Sequence, residues 1–187
     1  ADQLLRHADH AMYQAKQLGR NRYFLYDARC DQEARNLRSQ LDEIAAALSG
    51  DQLALYYQPK INMRQKQVVG FEALIRWQHP ERGLLLPGDF LPAIAGSELE
   101  LAVDEWVMQR AIEQLGYWRS AGVPVGRVSI NLCARSLASR ELNQRLQQCL
   151  AAAPEVAAED LEIEVLESSA LEDLSATHEV LVQWRQL

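Results

Sequence analysis

Apolar positions recur at helical spacing in some stretches of this chain and alternate in others. From Asp2 to Gln17, Leu4, Leu5, Ala8, Ala11, Met12 and Ala15 fall on one stripe, which predicts an amphipathic helix closed near Gly19. Tyr23 to Tyr26 reads as a short strand. Asp31 to Leu48 is a second helical stretch, with Leu37, Leu41, Ile44 and Ala45 on one face. It is either a linker helix or the first helix of the next domain. Leu53 to Tyr57 reads as a strand. Ile61 to Met63 and Val68 to Leu74 flank the polar turn Arg64-Gln65-Lys66-Gln67, the pattern of a hairpin. A loop rich in Pro and Gly covers His79 to Gly88. A helix from Glu98 to Ala121 ends at Gly122 and Pro124. Then follow strand Arg127 to Leu132, helix Ser136 to Ala152, strand Leu161 to Leu166 and helix Leu171 to Gln186. From Val68 onward strands and helices alternate, which predicts an α/β fold with parallel strands.

The 187 residues suffice for one ordinary domain, and 48% hydrophobic with 24% charged residues is a globular balance. The first helix and short strand are too small for a core of their own, so they read as the tail of a preceding domain. The net charge of -7 offers no basic field for a DNA or RNA polymer. An anionic ligand therefore needs local cations or a metal. No apolar run is long enough to span a bilayer, and no signal peptide opens the chain. Cys30, Cys133 and Cys149 lack zinc-type spacing and read as reduced thiols of a cytoplasmic protein.

Three strands carry candidate chemistry on one face. Side chains alternate along a strand, so Ser129 and Asn131 oppose Val128, Ile130 and Leu132. Glu162 and Glu164 oppose Leu161, Ile163 and Val165, and Glu72 opposes Val69, Phe71 and Ala73. In an α/β barrel such a face points inward, and residues at strand C-terminal ends line the mouth. Carboxylates gathered there repel one another unless a hard cation joins them, and oxygen donors suit Mg2+ or Mn2+. The same alternation fits a solvated edge strand equally well.

Larger motifs separate these readings. Glu72-Ala73-Leu74 is followed by Arg76-Trp77 and His79-Pro80, and preceded by Tyr57-Gln58-Pro59-Lys60-Ile61. Pro87-Gly88-Asp89-Phe90-Leu91-Pro92 and Trp106-Val107 come next, then Ser129-Ile130-Asn131-Leu132 and Glu164-Val165-Leu166-Glu167. From about Leu37 to Leu187 this series resembles the EAL family, bacterial phosphodiesterases that open cyclic di-GMP to linear pGpG. Leu166 stands where threonine is usual. Near the start, Ala8-Asp9-His10-Ala11-Met12-Tyr13-Gln14-Ala15-Lys16 and Gly19-Arg20-Asn21-Arg22 resemble the end of a GGDEF (diguanylate cyclase) domain, without its catalytic motif.

The resemblance implies a partial, truncated TIM-like (β/α) barrel of the EAL type. It divides the chain into a GGDEF remnant over 1–27, a linker helix over 28–50 and the N-terminal part of an EAL domain over 51–187. It implies catalytic roles for Glu72, Asn131, Glu164 and Glu167. Glu72, Asn131 and Glu164 would ligate Mg2+ or Mn2+, and Glu167 would either support the site or cap the following helix. Gln58, Leu74 and Arg76 would bind substrate, Arg76 through its fork of donors. Lys16, Arg20, His7 and His10 read as surface residues, and His79 and the tryptophans as structural. The family's later motifs, an Asp-Asp strand, a lysine and a final glutamate and glutamine, do not occur in this chain. Alone it is therefore expected not to hydrolyse cyclic di-GMP, and its open sheet edges predict a homodimer. The alternative is a degenerate EAL module that binds cyclic di-GMP or a protein without cleavage.

Overall fold

The computed structural model describes residues 2–17, 19, 23, 28–165 and 184. The chain divides into two compact units, 1–42 and 43–187. The first holds helix α1 (Asp2–Gln17) and most of α2 (Ala28–Ser49). The strand expected over Tyr23–Tyr26 and the helix expected over Leu171–Gln186 lie outside the described residues, apart from Tyr23, which is not in a strand, and Trp184.

The second unit is built on a mixed sheet. Strands β1 (Leu53–Asn62) and β2 (Gln67–His79) form an antiparallel hairpin. Asn62 makes its turn: the side-chain Oδ1 accepts from the backbone N–H of Arg64 and Gln65, and the carbonyl accepts from Lys66. The loop expected over His79–Gly88 contains a short strand, β3 (Gly83–Leu85), paired with β2, and at Pro87 begins helix α3 (Pro87–Ile94). Proline in the first turn is preset for a helix, and Asp89 accepts from the Leu86 N–H at 2.9 Å. Proline and glycine, read as loop residues, here mark a helix start.

Helix α4 (Glu98–Ser120) follows, then β4 (Arg127–Leu132), which lies parallel to β2. The single helix expected over Ser136–Ala152 is two, α5 (Ala134–Leu137) and α6 (Arg140–Ala152). Ser139 separates them, because its hydroxyl accepts from the Leu142 N–H as an N-cap. Strand β5 (Leu161–Val165) then pairs in parallel with β4. The sheet order is β1-β2-β4-β5, with β3 on β2.

The core lies between α4 and the apolar face of the sheet. Val103, Val107, Met108, Ala111, Ile112 and Leu115 of α4 are buried, as are Val128, Ile130 and Leu132 of β4. Two glycines set the β2–β4 approach. A Cβ on Gly126 would stand 1.9 Å from the Val69 carbonyl oxygen, and one on Gly70 2.4 Å from that of Arg127. No other residue fits without parting the strands.

Candidate functional site

Register decides which polar side chains meet. On one level of the sheet Gln58 pairs with Glu72, Glu72 with Ser129, and Ser129 with Glu162. One level nearer the C-terminal ends of the parallel strands, Asn131 pairs with Glu164. Leu74 is the next residue of β2 on this same face. The polar positions of β2, β4 and β5 thus share a face at the end where α/β sheets place their sites.

Two hydrogen-bonded groups occupy this face. In one, Asn131 Nδ2 donates to Glu72 Oε1 at 2.9 Å. In the other, Lys60 Nζ donates to Glu164 Oε1 at 2.6 Å, to Glu162 Oε2 at 3.3 Å and to Ser129 Oγ. Ser129, fully buried, donates in turn to Glu162 Oε2 at 2.7 Å. The hydrogen bond to Glu164 is the main reason that the Lys60 ammonium titrates above its usual range; partial burial opposes the shift, and Glu162 adds to it. Hydrogen bonds from Ser129 and then Lys60 hold the Glu162 carboxyl below the usual range.

Glu72 and Asn131 are therefore brought together, while Glu164 is joined to Lys60. Gln58 is exposed beside Glu72. Arg76 donates to the Ile75 carbonyl at 2.8 Å and lies over the Tyr56 ring, 5.7 Å from its centroid. A cavity of about 270 Å3 opens beside Leu74 and Asn131, walled by Leu91 of α3 and by Val103, Asp104 and Val107 of α4. Glu167 lies outside the described residues. Among the described residues no three His, Cys, Asp or Glu side chains stand close enough together to hold a metal by themselves. Glu72, Asn131 and Glu164 include only two such residues, and the third donor is an amide.

Sequence reading missed Lys60. Its signal was present, since Lys60 is two residues beyond Gln58 on the same face of β1. It also missed Asp104, an acid on the apolar side of α4. Asp104 is 8% exposed and accepts from the Cys133 N–H at 2.9 Å.

A mixed sheet whose polar strand ends face one way defines an α/β fold of the barrel type. The family model for the EAL domain matches residues 41–187, and the chain belongs to that family. It is 34% identical over 181 residues to the bifunctional diguanylate cyclase/cyclic di-GMP phosphodiesterase MucR of Pseudomonas aeruginosa, covering 97% of this chain and 26% of that protein. It is 36% identical over 186 residues to the cyclic di-GMP phosphodiesterase PdeR of Escherichia coli, covering 98% and 27%. The chain thus spans about a quarter of the length of these curated relatives. A solved structure of the PaMucR phosphodiesterase in complex with c-di-GMP superposes with a TM-score of 0.72 at 33% identity, over 79% of this chain and 60% of that one. Among the described residues, no helix is long and apolar enough to cross a membrane.

Proposed function

We propose that this chain supplies one wall of a metal-dependent phosphodiesterase site that hydrolyses cyclic di-GMP to linear pGpG. The observation that carries the reading is the meeting of Glu72 with Asn131 at the strand ends. The names of MucR and PdeR support the substrate. The alignment with MucR also covers the N-terminal stretch, which supports reading residues 1–27 as the end of a GGDEF domain.

Glu72, Asn131 and Glu164 fit a hard divalent cation by the chemistry of their donors, all of which include oxygen. These three would hold Mg2+ or Mn2+. When bound, such an ion supplies charge neutralisation at the phosphate and a water of lowered pKa. The remaining roles belong to the chain itself. Arg76 offers its donor fork to a phosphate oxygen. Leu74, on the same face of β2 as Glu72 and Arg76, lines the ligand site. Gln58, beside Glu72, donates or accepts at the ligand's edge, and Glu167 would support the metal ligands.

One observation favours a second reading, binding without cleavage. Glu164 is paired with Lys60 rather than gathered with Glu72. Turnover separates the two. The sequence, extended downstream to a complete EAL barrel, is expected to release pGpG from cyclic di-GMP with Mg2+ or Mn2+, followed by chromatography. Glu72→Gln is expected to lower that rate by about a hundredfold or more. Tight binding of cyclic di-GMP without any pGpG would establish the second reading. The chain alone is expected to show no turnover.

A further inference from the structure

We propose that Lys60 is a positioning residue of the cation site: its ammonium is an internal counter-ion that holds Glu164 while no divalent cation is present, and it competes with that cation for the carboxylate. The inference rests on the reading of Glu72, Asn131 and Glu164 as cation ligands.

The ammonium has three N–H donors and three side-chain acceptors around it, on Glu164, Glu162 and Ser129. A lysine that merely reached across a surface would not be met by a buried serine that also fixes one of its carboxylate partners. The backbone directs the approach. Lys60 pairs with Gly70, and Gly70 with Arg127, so its Cα lies below the level of Glu72 and Ser129. Its stem therefore rises from the floor of the polar face toward Glu164, which sits above. The Glu164 side chain is 40% exposed, which leaves its carboxylate open to a second cation from the mouth side.

The sign of the effect follows from Coulomb's law. A unit positive charge held against one ligand opposes the entry of a divalent cation at the same carboxylate. Removing the charge therefore tightens cation binding. A lysine that only oriented Glu164 would have the opposite effect, because its loss would free the ligand to move and weaken binding.

The experiment titrates the chain with Mn2+, reading free ion by electron paramagnetic resonance, for the unsubstituted protein, Lys60→Met and Lys60→Arg. Lys60→Met is expected to bind on the order of tenfold more tightly, and Lys60→Arg within about threefold of the unsubstituted chain. Equal or weaker binding by Lys60→Met overturns the role of Lys60 and leaves the cation site standing. Absence of binding in every variant overturns both. Should circular dichroism show Lys60→Met unfolded, the unsubstituted chain decides by itself. Its Lys60 Nζ resonance, observed by 15N NMR, is expected to move along the Mg2+ binding isotherm as Glu164 changes partner. A resonance that stays in place at saturating Mg2+ overturns the inference.

Discussion

Asp104 projects from α4 into surroundings where a charge is poorly solvated, and burial raises its carboxyl above the usual range. Hydrogen bonds from Ser136 and Cys133 pull the other way without overcoming it. The sign for stability follows. Between the unfolded value, about 3.9, and the higher folded value, the native state binds more protons than the unfolded chain. Stability from this group is thus fully present at low pH and is lost as pH rises through that window. Asp104→Asn keeps an acceptor for the Cys133 N–H and is expected to flatten this part of the profile, measured by urea unfolding at a series of pH values. An unchanged slope would show that another group titrates there. At Glu162 the shift is downward, and the buried Ser129 hydroxyl is its first cause. Ser129→Ala is expected to raise the Glu162 carboxyl pKa in a 13C NMR titration. Neither residue could be ranked from the sequence. Alternation placed Glu72, Asn131 and Glu164 on a common face, but which side chains bond across strands depends on register, and register is set by the hairpin turn and by the close approach at Gly70 and Gly126.

Element boundaries were legible where a single physical signal dominates. Strand Arg127–Leu132 was read residue for residue, because Val128, Ile130 and Leu132 alternate cleanly and Gly126 precedes them. The long α4 was equally plain. Short elements were not. Strand β3 is held to β2 by pairing alone, and three residues carry no period. Helix α3 begins at a proline that also reads as a loop residue. The break between α5 and α6 rests on one hydroxyl, so Ser139→Ala is expected to cost about 1 kcal/mol in urea unfolding. A larger cost is expected at the β2–β4 seam. Gly126→Ala drives a methyl against the Val69 carbonyl and is expected to destabilise by about 1–3 kcal/mol. An unaffected midpoint would mean that the seam yields freely.

The sheet joins two antiparallel strands, β1 and β3, to the parallel set β2, β4 and β5, and among the described residues β1 and β5, at the two ends of its main path, each pair on one side only. Two such edges favour association, so a dimer is expected in light scattering at micromolar concentration, and a monodisperse monomer would refute it. The overall α/β class was open to the sequence because alternation of strands and helices survives any uncertainty at their ends. What was not open was how much of the polar face one lysine neutralises. The antiparallel course of β1 has one further consequence. It sends the turn after Asn62 to the rim of the sheet remote from the mouth, and leaves it facing solvent. A fluorophore or affinity handle inserted between Met63 and Lys66 therefore reports on this domain without standing in the ligand's way.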